Sequence, residues 1–124
     1  MSKKLKFVLL TSFSSKLGYG HFNRCKILAE ELIKKGHKAL LIVNTFDIKF
    51  KSTKHWIKND DMEENYPKAD VCIVDKYYYG DRYYKNLRKF YEKIVIFDDC
   101  KFKVPNNVFG VINPNLYAHK SQYP

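Results

Sequence analysis

The stretch from Leu5 to Gly36 restricts the choice of fold more than any other part of the chain. It opens on a short apolar run, Phe7 to Thr11, of the kind that fills a parallel strand buried on both faces. A polar loop, Ser12 to Lys16, follows and is closed by Gly18-Tyr19-Gly20. The two glycines let the backbone take positive φ or approach a ligand closely. From about Phe22 the pattern turns helical, because Cys25, Leu28, Ala29, Leu32 and Ile33 recur at three- and four-residue steps and give one apolar face. Glu30 and Glu31 stand four residues before Lys34 and Lys35, a charge order that supports a helix. Gly36 is suited to stop it as a C′ glycine. Strand, glycine turn and helix in this order make a ligand-binding corner.

Such a corner has a defined chemistry. A helix that starts at the glycine turn leaves its first N–H groups unpaired and carries a partial positive charge, so a phosphate or a developing oxyanion is stabilised there. His21 sits at that mouth, and an imidazole, with an ordinary pKa near neutrality, can take a proton from water or a sugar hydroxyl. Arg24, three residues on, falls on nearly the same helical face and offers a second cationic group. On spacing alone the alternative of a surface or capping histidine stays open.

The rest of the chain repeats the theme. Apolar runs at Ala39 to Val43, Val71 to Val74, Ile94 to Phe97 and around Val108 to Ile112 predict four more strands. With the first they predict a doubly wound α/β domain, 1–124, built on a parallel sheet of about five strands. Asp81 to Lys93 reads as a helix with Tyr83, Tyr84, Leu87, Phe90 and Tyr91 toward the sheet. Asn44 to Lys68 is polar and poorly periodic; the alternation of Phe46, Ile48 and Phe50 suggests a short extra strand. His55 and Trp56 in that segment either line a pocket or, in the case of Trp56, pin the connection to the sheet. In open parallel sheets the ligand crevice lies beyond the carboxyl ends of the strands, where Asp75, Tyr77, Asp98 and Asp99 all fall. Aspartates at strand ends also cap helices and form turns, which is the competing reading.

Charge and cysteines narrow the function classes. The net charge of +10, from 23 basic and 13 acidic residues, attracts polyanions, nucleotides or acidic membranes. Its lysines are scattered and no nucleic-acid recognition motif accompanies them, so no specific nucleic acid is expected. Cys25, Cys72 and Cys100 lack C-x-x-C spacing, which argues against a zinc site or a disulfide framework, and neither a metal nor a cofactor is expected. The run from Phe7 to Leu10 is too short for a signal peptide, and no stretch approaches the roughly 20 apolar residues of a spanning helix. A cytoplasmic location is the default expectation.

A family resemblance enters at these residues. Gly18-Tyr19-Gly20-His21-Phe22-Asn23-Arg24, continuing through Leu28-Ala29-Glu30-Glu31-Leu32, resembles the G-x-G-H-x-x-R-x-x-x-L-A-x-x-L opening of a hydrolase family. This is the UDP-2,4-diacetamido-2,4,6-trideoxy-β-L-altropyranose hydrolase family of pseudaminic acid synthesis. Val71-Cys72-Ile73-Val74-Asp75-Lys76-Tyr77 is similar to its I-V-D-x-Y, Ile94-Val95-Ile96-Phe97-Asp98-Asp99 to its I-D-D, and Asn113-Pro114-Asn115 to its N-x-N element. Tyr78 and Tyr79 leave the register of the tyrosine open, and Lys101 and Lys103 stand where the family often has an arginine.

The resemblance covers the N-terminal half of the family, and implies the first of two Rossmann-like halves as in the GT-B glycosyltransferases. It implies that His21 activates water at the anomeric carbon of a UDP-sugar, releasing UDP, while Tyr77 helps to orient sugar or water. Gly18, Tyr19, Gly20, Arg24, Asp75, Asp98, Asp99 and Asn113 become candidates for substrate binding. The uridine side would belong to a C-terminal half, absent from these 124 residues. Activity of the chain by itself is therefore expected to be slight. Two other readings are a half of a GT-B glycosyltransferase of envelope or capsule synthesis, and a non-catalytic fragment that binds polyanions.

Overall fold

The computed structural model describes residues 3–12, 20–44, 56–58, 66–75, 80–97 and 110–112. In chain order these form β1 (Lys6–Ser12), α1 (Gly20–Lys34), β2 (Lys38–Asn44), β3 (Trp56–Lys58), β4 (Val71–Asp75), α2 (Gly80–Leu87), β5 (Ile94–Phe97) and β6 (Gly110–Ile112). The strands build one sheet in the order β3-β2-β1-β4-β5-β6, with every pairing parallel. Without the three-residue edge strand β3, this is a five-stranded Rossmann-like sheet of order 2-1-3-4-5. The chain starts in the middle, winds out to one edge, returns beside β1 and winds out to the other. The order therefore reverses between β1 and β4.

Alternation along the strands divides the core in two. Val8, Leu10, Ile42, Cys72, Val74, Ile94 and Ile96 pack on one face with Tyr84 and Leu87 of α2 and with Tyr91. Leu9, Leu41, Val43 and Ile73 pack on the other with Cys25 and Ala29 of α1, flanked by Phe7, Phe22, Leu28, Leu32 and Phe97. Burial on both faces explains why the strands read as unbroken apolar runs.

The end of α1 follows its glycine. Gly36 has φ 91°, the Gly36 N–H donates to Ile33 O at 3.0 Å, and the His37 N–H donates to Leu32 O at 3.0 Å. This is the Schellman pattern, which satisfies the last carbonyls and turns the chain into β2. His37 then accepts the Leu5 N–H on Nδ1 at 3.0 Å and meets Phe7 edge-on, tying the start of β2 to the start of β1.

Three elements differ from the sequence expectation. α1 begins at Gly20, two residues before the apolar periodicity, because Gly20 and the polar His21 contribute nothing to an apolar stripe. α2 ends at Leu87 rather than Lys93. There the Lys89 N–H turns to Asn86 O at 3.1 Å and the Phe90 N–H to Leu87 O at 2.9 Å, tightening the last turn, while Tyr91 is buried with its hydroxyl donating to Pro67 O at 2.5 Å. The extra strand is Trp56–Lys58, paired with Leu41 to Val43; the alternating Phe46, Ile48 and Phe50, and His55, lie outside the described residues.

Gly36 supplies a direct test. A methyl group there would meet nothing within 4 Å, so Gly36→Ala is strained through its backbone alone. The variant should lose about 1–2 kcal/mol, read as a lower urea midpoint at unchanged m-value.

Candidate functional site

Strand alternation sends Thr11 and Asp75 to the face covered by α1. They are opposite partners at the carboxyl ends of β1 and β4, continuing the apolar rows that hold Leu9 and Ile73. Asp75 is a carboxylate where an aliphatic side chain would otherwise sit, and its side chain is 0% exposed. A buried charge of this kind persists only when paired and hydrogen-bonded.

The first turns of α1 provide the partners. His21 and Arg24, three residues apart on one helical face, both reach Asp75. The Arg24 guanidinium grips the carboxylate as a fork, Nε donating to Oδ2 at 2.6 Å and an Nη to Oδ1 at 2.5 Å. His21 Nδ1 lies 2.7 Å from Oδ1. The Cys25 thiol lies 3.9 Å from Oδ2, and the Thr11 hydroxyl donates to the Asp75 carbonyl at 3.0 Å. Arg24 also stacks over the Phe97 ring at 4.4 Å, holding the fork from its other side. Side-chain exposure rises outward, from 0% at Asp75 to 18% at His21 and 31% at Arg24.

The electrostatics follow from these contacts. Burial by itself would raise the Asp75 carboxyl, but the hydrogen bonds from Arg24 and His21, together with their charges, outweigh it and hold the group below its ordinary value near 3.8. Asp75 is thus an acceptor at neutral pH, and the His21 nitrogen facing it is a donor. In the neutral form of the ring this contact puts the proton on Nδ1 and the lone pair on Nε2. The Cys25 thiol is pushed well up, by burial first and by the Asp75 charge second. It is a packing residue that stays protonated, not a nucleophile.

These groups meet at the point where the strand order reverses, beyond the carboxyl ends of β1 and β4. In open parallel sheets this is where the crevice for a ligand forms. Of the sequence candidates, His21, Arg24 and Asp75 come together here and Gly20 opens the helix that carries two of them. A Cβ on Gly20 would meet nothing within 4 Å and its φ is not positive, so the fold does not require glycine there. Gly18, Tyr19, Tyr77, Asp98, Asp99 and Asn113 lie outside the described residues. Thr11 and Phe97 were not singled out from sequence; the only mark they carried was a hydroxyl ending one strand and a ring ending another. Among the described residues no cluster of His, Cys, Asp or Glu is arranged to hold a metal ion, and no helix is long and apolar enough to cross a membrane. No protein-family model matches the chain, and neither curated proteins nor solved structures give a match.

Asp75→Asn removes the charge and leaves the Arg24 guanidinium without its counter-ion. The cost at pH 7 should lie toward the lower end of about 3–5 kcal/mol, because Arg24 can turn toward water. A carboxyl depressed in the native state stabilises above its unfolded value near 3.8 and loses that contribution as the pH falls through the lower native value. The gap in unfolding free energy between wild type and variant should therefore be full at pH 7, shrink as the pH drops below about 3.8, and level off once the pH is under the lower native value.

Proposed function

We propose that this chain is the sugar-side, N-terminal part of a nucleotide-sugar hydrolase of the UDP-2,4-diacetamido-2,4,6-trideoxy-β-L-altropyranose type. The reading rests on the ordered motifs around His21, Asp75, Asp98 and Asn113 and on a Rossmann-like parallel sheet. The observation that carries it is the 2.7 Å contact of His21 Nδ1 with the buried Asp75 carboxylate at the reversal of strand order.

The chemistry is a displacement at the anomeric carbon. A water molecule gives a proton to His21 Nε2 as its oxygen forms a bond to the carbon. The bond from that carbon to the phosphate oxygen breaks, its electron pair leaves on the diphosphate, and UDP and free sugar result. Asp75 favours the imidazolium formed in this step and keeps the ring from rotating, as the carboxylate of a Ser-His-Asp triad does for its histidine. Arg24 acts through Asp75, holding the carboxylate with two hydrogen bonds rather than leaving it to swing. Tyr77 is assigned to orient sugar or water, and Gly18 and Gly20 to bring backbone N–H groups toward the diphosphate; both assignments come from the family resemblance.

The test is a titration of the chain with the UDP-diacetamido sugar and, separately, with UDP, followed by the ring signals of His21 in NMR spectra. The sugar nucleotide should move those signals and UDP alone should leave them nearly in place. Any UDP released by the wild-type chain should fall by about 10²–10⁴-fold in His21→Ala, the usual contribution of a general base, with the circular dichroism unchanged. Wild-type rates in His21→Ala, or ring signals that ignore the sugar nucleotide, would remove His21 from the mechanism.

A further inference from the structure

The edge of the sheet opposite this site has a chemistry of its own. Parallel pairing aligns the strand starts, and each returning helix ends above them. At that edge Lys6 of β1 lies opposite Lys38 of β2. The Lys38 N–H donates to Leu5 O at 2.9 Å, the Asp70 N–H to Lys6 O at 2.8 Å, and the Cys72 N–H to Lys93 O at 2.9 Å. Lys38 and Lys6 thus stand side by side at the starts of β2 and β1, with Asp70 in line beyond them. Lys93 lies one residue further along, beside Val71 and just ahead of β5, and Lys68 lies just ahead of β4. Lys34 and Lys35 close α1 at the same edge, Arg88 and Lys89 follow α2, and Lys3 and Lys4 precede β1. All of these but Arg88 are exposed. Among the described residues the acidic side chains near them are Asp70, Glu92 and, one turn before Lys34 and Lys35, Glu30 and Glu31; Asp70 already accepts the Lys6 N–H at 2.8 Å. Phe90, beside Arg88 and Lys89, is 36% exposed with its ring edge against Tyr66 at 5.2 Å.

We propose that this strand-start edge docks the protein on an anionic lipid bilayer. The inference is independent of the hydrolase reading. Its physical basis is the density of like charge on one blunt end, which a negatively charged leaflet attracts with an energy that grows with each lysine near the surface. Lysine predominates over arginine, and a strongly hydrated point charge suits the diffuse potential of a bilayer better than the fork-shaped reading of base edges. The half-exposed Phe90 ring among these cations gives an apolar group that can enter the headgroup boundary. Tyr66 packs edge-on with both Phe90 and the buried Tyr91, so these rings do not stand out as a platform for stacked bases. Docked this way, the molecule turns the His21–Asp75 end away from the membrane.

Vesicle flotation tests the proposal, with liposomes of phosphatidylcholine alone or containing about 30% phosphatidylglycerol as the anionic lipid. The wild-type chain should float with the anionic vesicles only, and should be released when salt is raised from about 0.1 M to about 0.5 M, which shortens the screening length. Changing Lys6, Lys38 and Lys93 together to Gln should weaken binding about a hundredfold, roughly fivefold for each charge removed. A double variant with Lys26 and Arg82 changed to Gln, both exposed in the first halves of the helices and away from this edge, should bind like wild type. Changing Lys6 and Lys38 alone to Gln should instead weaken binding about 25-fold. Phe90→Ser should weaken binding severalfold at constant net charge. Equal loss in the two double variants, flotation with neutral vesicles, or tighter binding to duplex DNA at the same salt would each overturn the assignment. The salt titration and the DNA competition use wild-type protein, so they decide the matter even if a variant fails to fold.

Discussion

The ion pair inside the fold is the constraint on which the site depends. A carboxylate with no exposed surface has a large desolvation cost, and Asp75 offsets it with two bonds from Arg24 and one from His21. The same bonds fix the positions of three side chains drawn from a strand end and a helix start. Stability and orientation therefore have one source here. A site assembled from exposed groups would hold its imidazole loosely, whereas this one cannot rotate the ring without uncovering a buried charge.

The parallel sheet makes the arrangement possible. Because β1 and β4 are neighbours in register, Thr11 and Asp75 end side by side under the first turns of α1. Arg24 sits between Asp75 and the ring of Phe97 at the end of β5, so three neighbouring strand ends contribute to one cluster. At the other edge the same geometry gathers strand starts and helix ends, and with them lysines that are far apart in the chain. One topology thus yields a polar crevice at one end and a cationic surface at the other.

Much of the architecture was legible because its signals are local. Apolar runs at Phe7, Ala39, Val71 and Ile94 marked strands, since burial on both faces leaves no polar alternation. Gly36 marked a helix end through its φ, a property of one residue. Where the signal was not local, the reading drifted. The tyrosine-rich stretch after Asp81 kept helical spacing beyond Leu87, although the backbone there tightens and Tyr91 turns to Pro67. β3 is only three residues long, and its existence depends on the neighbouring Leu41 to Val43 backbone.

The sequence by itself determined the class of fold and the residue types gathered at the first helix, because periodicity, glycine placement and strand-end carboxylates are written along short stretches. It placed His21 and Arg24 on one helical face and Asp75 at a strand end. What only the tertiary structure decided is that the three are one unit, with the imidazole bonded to a carboxylate 54 positions away and the guanidinium turned onto that same group. The reason is that a buried charge selects its partners through space. No local pattern records which cation will lie over which strand until the crossover has brought them together.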